Sequence, residues 1–492
     1  MSNNNKSIIF YNGLQQKSFC GYCKTDYASY SNGMWASSLT VQAYQDMIDR
    51  GWRRSGKYCY KSLMDTTCCP LYTIRCEALD FQLSKSQKKI IKKLTKFLKS
   101  GICDKNPISI EQDEREPLMK YEPRDAHNED TKIQVDQLYM KGQNSSVNDS
   151  KYNNLLITNE EDSNAAVSVN LNCKSKVTKE IKKVKPGEGA DPSLPRCKKR
   201  KLLRIEKKLL KNPNSLIKTL APEQKSLEDF IIENDSVFTN EGYKLRVSLI
   251  KTGTEAFNQT MTAEALVFAK YQMAVHNEQP HDCNKEQYLT FLVDSPLQFE
   301  EADHPDHPGY GSFHQQYWLG DKLVAVGVID ILPKCISSVY LFYDPDYHNL
   351  VLGTYSTLRE ICLVRQLYKM SPELKYYYMG FYIHTCPKMR YKAKFEPSYL
   401  LCPLRYTWHA IDKCIQKLDN EKYSIFNESE NICDDNNTQS IIENIPVLYS
   451  GTLMSYTIYK RLNKKNQDEL ITEYAKLVGP KLARQLIYCF LD

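Results

Sequence analysis

The densest pattern of apolar positions lies between residues 311 and 391 and predicts a small β-sheet. Residues 323–332 are an apolar run rich in Val and Ile, which is typical of a strand buried on both faces. Residues 316–319 are predicted to be its partner strand, because Gly320-Asp321 between the two runs is a two-residue hairpin signal. A third strand is predicted over residues 339–343.

A helix and a further strand follow these three strands. Apolar side chains recur at helical spacing in residues 356–368, so one face of this helix is expected to pack on a core. Residues 374–384 return to strand character and are dense in Tyr and Phe. The order strand–strand–strand–helix–strand predicts an α+β fold rather than a doubly wound parallel sheet.

The flanking segments predict further packing elements. We expect a helix over residues 40–50 that is capped by Thr40, and an amphipathic basic helix over residues 84–100. Another helix is predicted over residues 262–276, with Thr262 as its cap. The remaining predictions are a strand over residues 244–250 and helices over residues 407–418 and 470–486, the last broken at Gly479-Pro480.

The composition changes between residues 104 and 235, where Asn, Ser, Asp, Glu and Lys dominate and aromatic residues are few. Such a segment buries too little apolar surface to fold, so we predict a disordered linker with both basic and acidic stretches. It separates an N-terminal domain, residues 1–103, from a C-terminal domain, residues 236–492. The basic run at residues 197–201 fits a nuclear import signal, an RNA contact or an ordinary soluble linker.

The 492 residues include 66 Lys and Arg against 59 Asp and Glu, and this net charge of +7 does not by itself identify a nucleic-acid partner. The first residues lack the apolar core of a secretory signal, and no apolar run approaches the roughly 18 residues that a membrane span needs. We therefore expect a cytoplasmic and nuclear protein with no membrane partner. In a reducing compartment, clustered cysteines among the 17 present are more often metal ligands than disulfides.

Four of the cysteines have the spacing of metal ligands. Cys20 and Cys23 form a C-x-x-C pair, and Cys68 and Cys69 follow in the same N-terminal block. Four thiolates complete a tetrahedral sulfur set around zinc, and the same four sulfurs can hold an iron–sulfur cluster. The adjacency of the second pair departs from the second C-x-x-C of a zinc ribbon. The alternative is a set of buried free thiols that pack as small hydrophobes.

Basic and aromatic residues are interleaved between the two cysteine pairs. Cationic side chains contact phosphates and aromatic rings stack on bases, so the segment is a candidate RNA contact, and no DNA partner is expected. A solvated basic loop explains the same residues equally well. The candidate RNA-binding residues are Arg50, Arg53, Arg54 and Lys57.

Long strings in both blocks resemble the eukaryotic arginyl-tRNA–protein transferase family. The strings are CGYC from Cys20, DRGWRRSGKYCY from Asp49, CCPLYTIRC from Cys68, YGSFHQQYWL from Tyr310 and YYYMGFYIHTCPKMRYK from Tyr376. Strings of this length are uncommon, and with their neighbours they cover residues 18–100 and 240–410.

The resemblance implies a function, a fold and a cofactor. The function is transfer of arginine from arginyl-tRNA to the α-amine of proteins that begin with Asp or Glu (or oxidised Cys), which marks them for ubiquitin-dependent degradation. The implied fold of the C-terminal domain is an N-acetyltransferase-like (GNAT-like) acyltransferase. The four cysteines then hold a [4Fe-4S]-type iron–sulfur cluster, with Zn²⁺ as the alternative, and the four basic residues become tRNA contacts. Residues 352–357 contain one glycine, whereas acetyl-CoA enzymes cradle pyrophosphate on a Gly-rich turn, so we expect no acetyl-CoA.

Two residues are candidates for the general base of this reaction. The donor ester is already activated and the acceptor α-amine has a pKa of about 7.7–8.0, so a modest base with good positioning suffices. Asp330 ends a buried strand and His314 precedes the hairpin, and both are placed to serve. Asp330 alternatively binds the guanidinium of the donor arginine, since a carboxylate pairs with that group through two hydrogen bonds.

Cations that follow the last strand, or that lie on the preceding helix, are expected to bind the acidic side chain of the acceptor. Tyr391 lines the pocket or belongs to the core. Asp344 and Asp346 shape the turn after the third strand or bind the donor arginine. The candidate substrate-binding residues are Lys388, Arg390, Arg359, Tyr391, Asp344 and Asp346.

Two other functions fit the same residues. One is a metal-containing RNA-binding adaptor without transferase activity, and the other is an N-acetyltransferase. Incorporation of arginine into a peptide that begins with Asp distinguishes the transferase from the adaptor. An acetyl-CoA binding titration tests whether the protein is an N-acetyltransferase.

Overall fold

The computed structural model describes residues 6–102, 225–237, 243–428, 438–463 and 467–490, and these residues build two β-sheets covered by helices. The strands are β1 Ser7–Ser18, β2 Ser29–Ser38, β3 Arg53–Ser55, β4 Tyr58–Ser62, β5 Tyr72–Glu77, β6 Leu245–Lys251, β7 Gly311–Leu319, β8 Lys322–Leu332, β9 Cys335–Tyr343, β10 Tyr376–Tyr382, β11 Ser398–Leu401, β12 Trp408–Ala410, β13 Pro446–Tyr449, β14 Thr452–Ser455 and β15 Leu486–Cys489. The α-helices are α1 Val41–Ile48, α2 Lys85–Ser100, α3 Leu227–Asp235, α4 Glu255–His276, α5 Lys285–Tyr288, α6 Leu352–Tyr368, α7 Pro387–Arg390, α8 Ile411–Leu418, α9 Thr438–Glu443, α10 Tyr456–Leu462 and α11 Asp468–Gln485.

The larger sheet contains the predicted strand–strand–strand–helix–strand unit and has the strand order β12-β11-β5-β10-β9-β8-β7-β6. Strands β6 to β9 are antiparallel neighbours, and β10 pairs in parallel with β9 after the crossover through α6. The mixed α/β content confirms the α+β prediction. Strand β9 begins at Cys335, four residues before the predicted start. Ser337 and Ser338 are weak strand formers, so the sequence pattern did not indicate the first half of this strand.

Segments from both predicted domains take part in both sheets. Strand β5, from the cysteine-rich N-terminal block, lies between β10 and β11 in the larger sheet. The smaller sheet has the order β14-β13-β15-β1-β2-β4-β3, in which the C-terminal β15 pairs in parallel with the N-terminal β1. The predicted boundary at residue 103 therefore separates two segments of the chain that share their sheets.

The helices predicted over residues 40–50 and 84–100 are confirmed. Thr40 caps α1 by accepting from the amide of Ala43, and Ser84 forms a capping box with Gln87 at the start of α2. The prediction that Thr262 caps the next helix is wrong, because α4 begins at Glu255 and Thr254 is its cap.

Two later helices also differ in detail from the prediction. Trp408–Ala410 form strand β12 ahead of α8, so the helix predicted from residue 407 begins at Ile411. Gly479 is non-helical within α11, with φ 82°, which confirms the predicted break at Gly479-Pro480. Helix α6 begins at Leu352, four residues before the predicted start at residue 356, so residues 352–357 form its first turns.

The segment predicted to be a disordered linker is described only at its C-terminal end. There, Leu227–Asp235 form helix α3, which buries Phe230 and Ile231 against the core of the larger sheet. Residues 103–224, including the basic run at residues 197–201, lie outside the described residues. Among the described helices, none is long and apolar enough to cross a membrane.

Separate apolar cores position the site. One core lies between the larger sheet and helices α2, α3 and α6, with Tyr355 and Ile361 at its centre. A second joins the smaller sheet to α1 and α11, and a third packs α4 on β8 and β9. Strands β8, β9 and β10 are therefore covered on both faces, which fixes the backbone that surrounds the site.

Candidate functional site

A cavity of about 140 Å³ opens where the two parallel strands β9 and β10 separate. The strands are paired from Tyr376 opposite Cys335 to Tyr378 opposite Ser337, and the pairing ends there. Residues immediately beyond this point, Val339 on β9 and Met379 on β10, line the cavity. The opening is thus a feature of the sheet itself. It lies on the carboxyl-terminal side of the paired residues of β9 and β10.

A β-bulge on each strand lies at the opening. On β9, Val339 has no partner on β8, because Val328 faces Tyr340 while Ile329 faces Ser338. On β10, an extra residue separates the positions that face Arg75 and Thr73 of β5, and Gly380 there has φ 67°. That left-handed conformation favours glycine, so Gly380 lets the strand turn away from β9.

The charged side chains that line the cavity are all cationic. Arg53 and Arg54 come from β3, and Lys388 and Lys392 come from the segment after β10. The described lining contains hydroxyl groups and tyrosine rings but no Asp, Glu or His side chain. Such a lining attracts an anionic group and offers no carboxylate partner to a guanidinium.

Asp330, predicted as the general base or as a partner for the donor arginine, lies in a fully buried ion pair with Arg54. Nε and Nη2 of Arg54 donate to its two carboxylate oxygens at 2.8 and 2.6 Å, and Ser312 donates to the same carboxylate at 2.7 Å. Both side chains of the pair are 0% exposed. The carboxylate does bind a guanidinium, but the guanidinium belongs to the protein's own chain.

The electrostatics of this pair argue against a base at Asp330. Burial alone would lower the pKa of Arg54, but the Asp330 carboxylate raises it above its ordinary value. A carboxylate held by a permanent cation and sealed from solvent is out of reach of an incoming amine. The pair ties β3 of the smaller sheet to β8 of the larger one, which is a structural role.

Replacing Asp330 by Asn leaves the Arg54 charge buried without its counter-ion. We expect the free energy of unfolding to fall by about 3–5 kcal/mol. Chemical denaturation of the purified variant measures this loss, and Asp346→Asn, at an exposed carboxylate, serves as the control. A variant of unchanged stability that has lost its activity would restore Asp330 to the chemistry.

His314, the other candidate base, is also committed to a buried network. Its Nδ1 lies 2.5 Å from an oxygen of Glu264, and its Nε2 lies 3.3 Å from the carbonyl oxygen of Leu292. Tyr288 and Gln316 donate to the same Glu264 carboxylate, at 2.6 Å each. Burial acts to raise the pKa of Glu264, but the charge and hydrogen bond of His314 hold it below its ordinary value. The network joins β7 to α4, away from the cavity.

Of the six predicted substrate-binding residues, only Lys388 and Tyr391 line the cavity. Arg359 pairs with Asp235 of α3 at 2.6 Å. Arg390 is exposed, and its Nε donates to the carbonyl oxygen of His384 at 2.6 Å. These two arginines are therefore held by other parts of the chain.

The two predicted aspartates lie in the turn after β9, outside the cavity. The carboxylate of Asp344 is buried and lies 2.9 Å from Lys322 and 3.5 Å from Lys270. Burial acts to raise the pKa of Asp344, but the hydrogen bond from Lys322 and the backbone amide of Asp346 hold it below its ordinary value. Of the two alternatives raised by the sequence, the geometry supports the turn-shaping role.

The predicted RNA contacts are divided between core and surface. Arg53 and Arg54 are buried, at 5% and 4% exposure, because the short strand β3 places both inside the fold. Arg50 lies over the ring of Tyr406 at 4.2 Å, and Lys57 is half-buried in the turn between β3 and β4. Burial argues against phosphate contacts by Arg53 and Arg54.

The four predicted metal ligands do come together. The sulfur atoms of Cys20, Cys23, Cys68 and Cys69 all lie within 4.8 Å of one another, and in the described part of the chain no other group of three or more potential ligands meets this criterion. A single tetrahedral ion with metal–sulfur bonds of about 2.3 Å places its ligands roughly 3.8 Å apart. The set therefore fits one metal ion as it stands.

The thiols differ in acidity. Burial acts to raise the pKa of Cys23, but hydrogen bonds from the side chain and backbone of Thr25 lower it to about 6. Burial and the neighbouring Cys20 raise the pKa of Cys69 to about 12, and burial also raises that of Cys68. Four clustered thiols of this kind need a cation to hold them deprotonated together.

The cysteine set packs directly against the wall of the cavity. Cys20 and Cys69 form an apolar cluster with Ile383, at the end of β10, and with Met389 of α7. Met389 and Tyr22, which packs on the same cluster, also line the cavity. The metal-ligand set therefore supports the segment that carries Lys388 and Lys392.

Comparison with known proteins decides the family. The model described as "Arginine-tRNA-protein transferase, N terminus" matches residues 18–89, and that described as "Arginine-tRNA-protein transferase, C terminus" matches residues 263–402. The chain is 40% identical to arginyl-tRNA–protein transferase 1 of Drosophila melanogaster, over 98% of this chain and 99% of the relative. The chain belongs to the arginyl-tRNA–protein transferase family.

Two further relatives show how the likeness is distributed. Arginyl-tRNA–protein transferase 2 of Arabidopsis thaliana is 34% identical over 84% of this chain and 76% of its own length. An aspartate/glutamate leucyltransferase of Campylobacter jejuni is 33% identical over 25% of this chain and 45% of its own length.

Several residues that line the cavity were missed by sequence reasoning. Ser337 and Ser338 line it because β9 begins earlier than predicted, and Ser356 and Thr357 line it from α6. Lys392, which is not among the predicted site residues, also lines it, and its Nζ donates to the carbonyl oxygens of Met379 and Phe381 at 2.8 and 2.9 Å. A bulge cannot be read from residue types alone, so no signal marked these positions.

Removing one thiol tests the metal-ligand set of this family member. We expect Cys23→Ser to lose bound metal, because three thiolates hold an ion less tightly than four. Elemental analysis of the purified protein measures the metal content. Cys386→Ser is the matched control, since Cys386 packs on the cluster without belonging to the ligand set. Full metal content in Cys23→Ser would contradict the assignment.

Proposed function

We propose that this aminoacyltransferase moves arginine from arginyl-tRNA to the α-amine of a protein whose first residue is acidic, and that the transfer takes place at the cavity between β9 and β10. The observation that supports this site is the cationic cavity, placed at the separation of a parallel strand pair. The proposal includes an N-acetyltransferase-like fold for the larger sheet. Its support is the antiparallel β7–β8–β9 unit, followed by a helical crossover to a parallel β10.

The charges of the cavity favour an acidic acceptor. An Asp or Glu side chain, or the sulfinate of an oxidised Cys, is an anion of side-chain size, and about 140 Å³ accommodates it. Lys388 is exposed at the rim and supplies one cation that can approach it. Neutral or basic first residues would bring no anion to the cationic cavity, so they are disfavoured.

The transfer requires little acid–base chemistry from the protein. The acceptor nitrogen attacks the ester carbonyl carbon, a carbon–nitrogen bond forms, and the bond from that carbon to the ribose oxygen breaks. The amine loses a proton and the ribose oxygen gains one. Because roughly a tenth of an α-amine with a pKa near 7.7–8.0 is neutral at pH 7, the described lining can act by positioning alone.

A wider cavity, of about 850 Å³, is the proposed place for the single-stranded end of the donor RNA. Phe19 and Tyr27 line it and are 44% and 75% exposed, and Lys17 and Lys24 lie beside them. Exposed rings stack on bases and lysines neutralise phosphates. Tyr22 and Tyr60 line both cavities, so the RNA end and the acceptor would meet there.

The metal remains part of the proposal. The ligands would be Cys20, Cys23, Cys68 and Cys69, and their spacing supports a single Zn²⁺ more directly than a [4Fe-4S] cluster, whose ligands each bind a different iron atom. Either group would cross-link the cysteine loops and hold the adjoining cavity wall. A cytoplasmic and nuclear location, and a role in ubiquitin-dependent degradation, complete the proposal.

Transfer of labelled arginine from arginyl-tRNA to a peptide that begins with Asp tests the function. We expect incorporation, with kcat/KM for the peptide rising with pH, reaching half of its plateau at about pH 7.7–8.0 and levelling off roughly one pH unit higher, because deprotonation of the acceptor amine is the titration that limits the reaction. A matched peptide with an acetylated α-amine is the control. Absence of transfer would refute the function, and a rate that follows a group titrating well below pH 7 would refute catalysis by positioning alone.

Replacing Tyr27 by Ala tests the placement of the RNA end. Stacking on one base contributes about 1–3 kcal/mol, so we expect KM for arginyl-tRNA to rise roughly 5- to 150-fold while KM for the peptide stays unchanged. Steady-state kinetics with each substrate varied in turn measures both values. Tyr243→Ala is the control, because Tyr243 is 41% exposed and lies outside this cavity. Equal KM values for arginyl-tRNA in the two variants would contradict the placement.

A further inference from the structure

Arg53 is a buried arginine with no counter-ion in the described part of the chain. It is the first residue of β3, it is 5% exposed, and it lines the cavity between β9 and β10. No ion pair of the described residues includes it. A buried cation in this state is costly unless something binds it, and such groups mark functional sites.

The guanidinium of Arg53 is held on one side only. Its Nη1 donates to the carbonyl oxygens of Ile48 and Trp52, at 3.3 and 2.6 Å. Its Nε and Nη2 have no hydrogen-bond partner among the described residues. The rings of Tyr378 and Phe381 lie 5.8 and 5.4 Å from its central carbon and stabilise the positive charge without satisfying those two donors.

The neighbouring residue shows what this edge of a guanidinium binds. Arg54 uses the same two atoms, Nε and Nη2, to hold the carboxylate of Asp330 through two parallel hydrogen bonds. A carboxylate matches this pair of donors in both geometry and charge. Arg53 presents the same pair beside the cavity, with no carboxylate of the described chain to fill it.

We propose that Arg53 determines acceptor specificity by binding the side-chain carboxylate of the first residue of the acceptor protein through Nε and Nη2. This inference rests on the proposed function and assigns the acidic specificity to one residue. A phosphate of the RNA is the less suitable partner, because a cavity of about 140 Å³ holds a side chain but not a nucleotide.

The assignment predicts strong discrimination between isosteric acceptors. An N-terminal Asp satisfies both donors of Arg53, whereas an N-terminal Asn presents an amide group that leaves one donor opposite another donor. A buried polar group left unpaired in this way is the usual source of large specificity ratios.

The experiment compares the wild-type protein with Arg53→Met and Arg53→Lys, using two peptides that differ only in Asp or Asn at the first position. We expect Arg53→Met to lower kcat/KM for the Asp peptide by roughly 10- to 100-fold, and to leave that for the Asn peptide and KM for arginyl-tRNA unchanged. Arg53→Lys should recover part of the loss, because it restores the charge without the paired donors. Melting temperatures check that each variant is folded, and Arg53→Lys carries the test if Arg53→Met does not fold.

Arg75→Met is the matched control. Arg75 is a partly buried arginine of β5 in the larger sheet. It is placed between the rings of Tyr376 and Trp408 at 3.7 and 4.0 Å, and it does not line the cavity. We expect it to leave the ratio of Asp to Asn turnover unchanged.

Two results would overturn the inference. One is an equal loss for the Asp and Asn peptides in the Arg53 variants, and the other is a rise confined to KM for arginyl-tRNA, which would place an RNA phosphate at Arg53. If the wild-type protein transfers no arginine, the proposed function fails instead. Equilibrium binding of the two peptides without tRNA then still tests Arg53, and equal affinities for them in the wild-type protein would overturn its role.

Discussion

The separation of β9 from β10 is the constraint on which the site depends. Two parallel strands that stop pairing expose backbone groups that must find other partners. Lys392 satisfies two of them by donating to the carbonyl oxygens of Met379 and Phe381, on either side of Gly380. The bulge at Gly380 and this lysine therefore stabilise the opening, and the backbone around it fixes the positions of the side chains that line it.

Two consecutive arginines have different roles, one in joining the two sheets and the other in the cavity. Arg54 is satisfied by Asp330 and fastens the smaller sheet to the larger one. Arg53 is fixed by backbone carbonyls on one side and has an unpartnered pair of donors on the other, as far as the described residues show. Because both residues sit on the same short strand, the contact that joins the sheets also sets the position of the unpartnered guanidinium. A neutral residue at Asp330 would disturb both roles at once.

Sequence reasoning predicted the elements well and the site incompletely. Apolar periodicity marked β8 and α6, and the cysteine spacing brought together the four thiols that the structure places within 4.8 Å. Neither pattern could reveal that Asp330 and Arg54, far apart in the chain, neutralise each other. A polar residue on a predicted strand has the same appearance whether its partner is a substrate or another segment of the fold. The sequence therefore leaves Asp330 and His314 as candidate bases, Asp330 also as a candidate partner of the donor arginine, and Arg53 in either an RNA contact or a solvated basic loop. Strand pairing and bulges decide between these roles, and single-chain periodicity does not encode them.

A crystal structure of the protein with a bound peptide that begins with Asp tests the account most directly. The account predicts the side-chain carboxylate of that residue in the cavity between β9 and β10, within hydrogen-bonding distance of Nε and Nη2 of Arg53, with the α-amine directed toward Tyr22 and Tyr60. A peptide bound with its carboxylate at another cation, or with its first residue outside this cavity, would contradict it.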